Sequence, residues 1–172
     1  MNTKIKTPSD SVAELTNLVL PSETNMLNNL FGGELLARMD RISSIVARRH
    51  SESFQVVTAS VNHVSFNTPV PLGSIVKLVA KVTRAFSSSM EVYVDVWIDD
   101  PVKQELTKTN NGIYTFVAVD SNNKPVPVPQ IKPETEEEIE RFEAALRRKQ
   151  LSLILAGKMN PKDANELKAI FF

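Results

Sequence analysis

Between Met90 and Asp99 apolar and polar residues alternate without a break: Met90, Val92, Val94, Val96 and Ile98 against Glu91, Tyr93, Asp95, Trp97 and Asp99. A period of two marks a strand whose successive side chains point to opposite faces, and here it predicts a sheet with one buried face. Asp99-Asp100-Pro101 ends the run, because proline has no N–H to give to a ladder. Three more segments read as strands. Phe54 to Phe66 is followed by Pro69 and a turn at Pro71-Leu72-Gly73. Ile75 to Thr83 sets Val76, Leu78, Ala80 and Val82 against Lys77, Lys81 and Thr83. Asn111 to Asp120 sets Ile113, Thr115, Val117 and Val119 on one side before a turn at Ser121-Asn122-Asn123-Lys124. Connections this short leave no room for helical crossovers, so these strands are expected to be antiparallel neighbours.

Upstream, Gly32-Gly33 opens a helical pattern that runs to about Arg49. Leu35, Leu36, Met39, Ile42, Ser43, Val46 and Ala47 share one side, with Glu34, Arg38, Arg41 and Arg48 opposite. That apolar side must be buried. Arg48-Arg49-His50 places cations at the negative end of the helix dipole. Ser11 to Leu20 reads as a leading strand stopped by Pro21. Downstream, Pro125 to Pro133 is a semi-rigid spacer. It leads to a capping box, Thr135 to Glu138, that opens a second helix with Ile139, Phe142 and Leu146 spaced for burial. A short last helix is expected after Asn160-Pro161, with Ala164, Leu167 and Phe171 as its stripe. A buried helix between a leading strand and a run of antiparallel strands is an α+β plan in which the sheet wraps the helix.

Composition narrows the chemistry. The chain has 172 residues, the size of one domain, and its 20 basic residues balance its 20 acidic ones. No global field draws it to nucleic acid or an anionic membrane. Cysteine is absent, which removes disulfides, thiolate metal sites and a cysteine nucleophile. His50 and His63 are the only histidines, too few for an all-histidine metal centre. His50 is expected as a helix-end cation or cap, and His63 as a strand residue facing solvent or a neighbour. The polar start and the absence of a long apolar run point to a cytoplasmic protein.

Several words in this order carry a resemblance: Leu-Pro-Ser-Glu-Thr-Asn (20 to 25), Leu-Phe-Gly-Gly-Glu-Leu-Leu-Ala-Arg-Met-Asp (30 to 40), Ala-Arg-Arg-His (47 to 50), Val-Val-Thr-Ala-Ser-Val (56 to 61), Phe66 with Pro69 and Gly73, Ser-Ser-Met-Glu-Val (88 to 92) and Thr-Phe-Val-Ala-Val-Asp (115 to 120). From about residue 15 to 148 the chain resembles the hotdog acyl-CoA thioesterases of the brain cytosolic and small bacterial type. The resemblance implies a hotdog domain over residues 1–133, an antiparallel sheet wrapped around a long central helix. Residues 134–172 would be a C-terminal helical extension packing on the same domain. It also implies pairing into double hotdogs, further assembly as a trimer of dimers, and an active site at the dimer seam where an Asn and an Asp meet from opposite subunits. Asn25 and Asp40 match those positions. Two residues depart from the family pattern: Asn28 and Phe86 stand where glycine is usual.

Hydrolysis of a thioester needs an activated water and fixed donors for the developing oxyanion. Asp40 lies at the rim of the helix's apolar face, where partial desolvation makes a carboxylate a better base. It is the expected general base, with direct nucleophilic attack left open. Gly33, assisted by Gly32, would present unobstructed N–H groups at the positive end of the helix, and Asn25 would orient the water or the carbonyl. Ser87, Ser88 and Ser89 are expected to line the pantetheine channel, and Arg147 and Arg148 to hold coenzyme A phosphates. No metal and no cofactor is expected, coenzyme A being part of the substrate. The competing readings are an enoyl-CoA hydratase-type hotdog enzyme, which needs a histidine beside its acid, and a non-catalytic acyl-CoA-binding hotdog protein.

Overall fold

The computed structural model describes residues 4–53 and 55–171. The strand start expected at Phe54 and the terminal Phe172 lie outside the described residues. β1 (Ile5–Lys6) and β2 (Ala13–Leu18) precede the helix α1 (Gly32–Ser51). Then come β3 (Val56–Ser65), β4 (Ile75–Ala85), β5 (Ser89–Asp100), β6 (Glu105–Ala118) and β7 (Gln130–Ile131). The chain closes with α2 (Glu136–Leu155) and a single turn, α3 (Asn165–Lys168). Five strands form one antiparallel sheet in the order β2-β4-β5-β6-β3. Because β6 lies between β5 and β3, the strand that follows α1 becomes an edge. No described helix is long and apolar enough to cross a membrane.

The sheet wraps α1, and the residues say why. Met39, Ile42, Val46 and Ala47 of α1 meet Val76, Leu78, Ala80 and Val82 of β4 and Met90, Val92, Val94 and Val96 of β5, all buried. Register shifts between Thr58 and Ser60, Val61 and His63, Val82 and Arg84, and Val96 and Trp97 are bulges, each of which bends its strand and strengthens the twist. On β6 the inward face is Tyr114, Phe116 and Ala118. Ile113, Thr115 and Val117, read from the sequence as sharing a side, stand opposite Tyr93, Glu91 and Ser89 of β5 and so form the outer face.

The sheet is covered on both sides because α2 lies over the outer face, so the expectation of a single buried face is corrected. Glu91 and Asp95, polar positions of the alternating strand, are only 3% and 9% exposed. Arg148 forks onto Glu91, with Nε 2.9 Å from Oε2 and Nη2 2.7 Å from Oε1. Arg141 forks onto Asp95 at 2.8 and 3.2 Å and stacks on Tyr93, 3.9 Å from its ring centre. The sheet-facing seam of α2 is thus ionic, with Ala145 buried, while Ile139, one of the residues expected to bury, is exposed. The capping box forms as read, with Thr135 accepting from Glu138 N. Asn160 caps the turn at Pro161, yet Phe171 of the expected stripe is exposed.

Three further corrections concern single elements. The Pro125 to Pro133 arm is no free spacer: Val128 and Ile131 are buried and β7 pairs in parallel with β1. Arg38, assigned to the solvent side of α1, is buried and bonds Leu18 O at 3.1 Å and Glu23 Oε2 at 2.7 Å. His50 is no helix-end cation. It is buried, its Nε2 is 2.8 Å from Pro129 O, and desolvation pushes the imidazole below its ordinary range.

Candidate active site

Asp40 stands half-buried on α1, facing the edge strand β3. Thr58 Oγ1 donates to its Oδ1 at 2.9 Å. Oδ2 has no hydrogen-bond partner among the described residues, which leaves one carboxylate oxygen open to accept a proton. The helix turn beneath is fixed by Tyr114 of β6, whose hydroxyl donates to Leu36 O at 3.2 Å. By helix geometry this is the carbonyl that accepts from the N–H of Asp40. The Tyr114 hydroxyl is pushed up to about 12 by burial and secondarily by the nearby Asp40 charge, so it stays a donor. Next to Tyr114, a Cβ on Gly112 would lie 2.8 Å from Met39 Sδ and 3.1 Å from the Tyr114 ring. Glycine there lets α1 settle directly on β6.

Asn25 begins a loop held by its own hydrogen bonds and by bonds to residues 70–72, with Leu30 N donating to Val70 O and Leu72 N to Asn28 O. Asn25 N donates to Asn29 O at 2.8 Å and Asn28 N to Asn25 O at 3.0 Å. Asn25 Oδ1 accepts from Leu27 N at 2.9 Å and Asn29 N at 3.2 Å. The carbonyl half of the amide is therefore committed to shaping the loop, and its NH₂ is the half free to donate. Asn28 takes φ 55, the left-handed conformation that asparagine tolerates better than most residues, so its departure from glycine is a mild one. Within one chain no hydrogen bond joins Asn25 to Asp40.

At the start of α1 the N-cap is Phe31, without a side-chain cap bond, so the N–H groups of Gly32 and Gly33 are left to other partners. A Cβ on Gly33 would lie 2.8 Å from the Phe31 ring, and one on Gly32 3.5 Å from Phe66. Both glycines thus lie beside aromatic rings while their backbone donors stay bare.

Ser87 and Ser88 form the β4–β5 turn and Ser89 opens β5. The turn is pinned by Val128 N donating to Ser87 O, Ala118 N to Ser88 O and Phe86 N to Ser89 O, at 3.1, 3.0 and 2.8 Å. Of the two arginines read as phosphate ligands, Arg148 is consumed by Glu91, while Arg147 is half-buried with no ionic partner among the described residues. Thr58 was missed by sequence reasoning; it sits in the Val-Val-Thr-Ala-Ser-Val word, but only the wrapping of β3 against α1 shows its hydroxyl turned to Asp40. Neither histidine reaches Asp40: His50 bonds Pro129 O, and His63 Nε2 is 2.7 Å from Ser65 Oγ. The His, Cys, Asp and Glu side chains of the described residues form no cluster able to hold a metal.

Residues 27–105 match the sequence profile of the Thioesterase superfamily. The uncharacterized acyl-CoA thioester hydrolase YkhA of Bacillus subtilis is 44% identical over 133 residues, 77% of each chain. The cytosolic acyl coenzyme A thioester hydrolase of Rattus norvegicus is 34% identical over 83% of this chain and 38% of its own length. Among solved structures, an apo hexameric acyl-CoA thioesterase superposes with a TM-score of 0.85 at 40% identity, covering 89% of this chain and 97% of that one. An acyl-CoA hydrolase from Staphylococcus aureus, in complex with butyryl coenzyme A, coenzyme A and coenzyme A disulfide, gives 0.83 at 36% identity over 96% and 99%. That enzyme has also been solved with an Asp, a Thr or an Asn replaced by alanine. With this sheet, this helix and these relatives, the chain belongs to the hotdog-fold acyl-CoA thioesterases of the Thioesterase superfamily.

Proposed function

We propose that the protein hydrolyses acyl-CoA thioesters to a carboxylic acid and coenzyme A, with Asp40 as general base. The observation that carries this is the Asp40–Thr58 pair: a half-buried carboxylate, oriented through one oxygen and open at the other. Water attacks the thioester carbonyl as Oδ2 takes its proton, and the oxygen of the tetrahedral intermediate accepts from the N–H groups of Gly33 and Gly32. The C–S bond then breaks, and the leaving thiolate recovers the proton from Asp40. Asn25, donating through its NH₂, would hold the carbonyl or the water from the opposite subunit of a dimer. Ser87, Ser88 and Ser89 would line the pantetheine arm, and Arg147 would reach phosphate at the rim. No cofactor enters this scheme, because coenzyme A arrives as part of the substrate.

Oligomerisation as paired hotdogs, further assembled into a hexamer, is proposed from the hexameric state named for the structural neighbour. The cytoplasm is proposed as the compartment from the cytosolic rat relative. Thiol release from a panel of acyl-CoAs tests the activity. Asp40→Ala should abolish it while the fold is retained, and Asn25→Ala should lower turnover ~10²–10³-fold, the usual loss for one oxyanion donor. Wild-type turnover in folded Asp40→Ala would overturn the catalytic assignment.

A further inference from the structure

A cavity of about 350 Å³ lies on the outer face of the sheet, between the first two turns of α2 and the strands β4, β5 and β6. Small-molecule sites commonly enclose about 300–1,000 Å³. Its floor is apolar: Val79 and Trp97 are half-buried, and Leu106 is 52% exposed. Strand register builds this floor. Trp97 of β5 stands opposite Lys77 of β4 on one side and opposite Lys108 of β6 on the other, so an indole lies between two ammonium-bearing residues in one row across three strands. Lys108 Nζ is 5.7 Å from the centre of the indole ring. Val79, opposite Asp95, continues the floor one row along, on the side where Arg141 of α2 holds Asp95.

The charges on the wall leave one cation over. Lys77, Lys81, Lys108 and Arg141 line the cavity, against the three carboxylates of Asp95, Glu137 and Glu138. Glu138 matches Lys81, while Asp95 and Glu137 together match Lys108 and Arg141. The partner of Lys77 is Glu14 of β2, 2.8 Å away, which stands outside the wall with its side chain 57% exposed. An ion pair so open to water is weak. The Lys77 ammonium can therefore turn to an anion bound over the indole without leaving a buried charge unpaired.

We infer that this cavity binds an amphipathic monocarboxylate, a medium-chain fatty acid anion, with the carboxylate at Lys77 and the aliphatic chain along Trp97, Val79 and Leu106. One negative charge matches the one surplus cation, and an amphiphilic cation would meet a wall of its own sign. The apolar floor favours the chain over a small anion that has none. Asp40 faces β3 from α1, on the other side of the sheet, so this is a second site and not the one proposed for the thioester. The inference does not depend on that proposal.

Trp97 is the only tryptophan of the chain, so its fluorescence reports on this cavity. Decanoate should change it saturably, with affinity rising about two- to four-fold per methylene from hexanoate to decanoate. Acetate and decyltrimethylammonium should give no response. Glu14→Gln, which releases Lys77, should tighten decanoate about three-fold, and Lys77→Met, which keeps the aliphatic stem, should weaken it about ten-fold. Opposite signs from the two partners of one ion pair are not the effect of a loosened fold. No response to decanoate, an equal response to decyltrimethylammonium, or affinities that neither variant moves would each overturn the inference. Asp40→Ala loaded with decanoyl-CoA settles the location: decanoate should still bind, and its displacement would assign the response to the thioester site and overturn the inference. A wild type that cleaves no acyl-CoA would sink the hydrolase reading and leave the decanoate titration to decide this cavity by itself.

Discussion

A carboxyl group that accepts one hydroxyl and keeps its second oxygen open is oriented with one oxygen still free, and this is the arrangement at Asp40. A hydrogen bond to a charged group contributes about 1.5–3 kcal/mol. Thr58→Val, which keeps the shape and deletes the donor, should therefore lower kcat roughly ten-fold or more with little change in KM, measurable by steady-state thiol release. Asp40 as a candidate was legible in its sequence word and in its place at the rim of the apolar stripe. Thr58 was not legible, since a strand threonine looks the same whether it faces solvent or an acid across a bulge. Arg38 and His50 mislead for a related reason. Each is a polar residue on a helix, and only a partner distant in sequence, Glu23 with Leu18 O or Pro129 O, makes its burial tolerable. His50 also gives stability a pH dependence. Desolvation depresses its folded pKa below the ordinary 6.5, so the unfolded chain protonates first as pH falls. Stability from this group is complete above about 6.5, declines as pH drops below it and levels off under the folded value. The charges facing His50 are Lys6, which opposes its protonation, and Asp10 and Glu52, which favour it. Both carboxyls are themselves held low, Asp10 chiefly by the Thr7 N–H and Glu52 to about 2 by Lys4 and Lys6, so neither titrates near 6.5. Melting temperature should drop between pH 7 and 5 in the wild type and lose most of that slope in His50→Gln.

At the scale of elements, the proposed general base depends on how α1 sits on β6. Gly112 sets the approach and Tyr114 ties the Leu36 carbonyl, so both act on Asp40 through the helix rather than on substrate. Tyr114→Phe should reduce kcat while leaving KM and the melting temperature nearly unchanged, since one neutral hydrogen bond contributes only about 1 kcal/mol. Gly112→Ala, which forces Met39 aside, should cost about 1–3 kcal/mol of stability on denaturant titration as well as turnover. The outer seam behaves differently. Removing one partner of a buried ion pair costs about 3–5 kcal/mol, so Arg148→Ala should lower stability by that order even though Arg148 touches no reacting atom. The same seam explains where sequence patterns stopped working. The alternation in β5 named the core face correctly because its outer positions are charged, but it could not tell charge facing water from charge facing Arg141 and Arg148. On β6, where Ile113 and Val117 alternate with Tyr114 and Phe116, both faces read as apolar, so parity could not say which one meets α1.

For the whole molecule, a single chain is left visibly incomplete. Met26 is 100% and Leu27 79% exposed at the tip of a loop that its own hydrogen bonds make rigid, and Val57 and Val61 are exposed along β3. β3 is also the end strand of the sheet, with its outer edge unpaired in the chain. Rigid, apolar and exposed is the signature of surface meant to be covered, and a second copy would cover it by extending the sheet and carrying Asn25 toward Asp40. This arrangement separates sharply from one in which each chain works alone. Asn25→Ala and Asp40→Ala are each expected to be crippled as homo-oligomers. When the two are unfolded together and reassembled, half of the pairs are mixed, and in each mixed pair one site carries both substitutions while the other carries neither. Activity should return to about one quarter of the wild-type value by this random pairing about a two-fold axis. Sites built within one chain would give no recovery at any mixing ratio, because every site would still contain one of the two lesions.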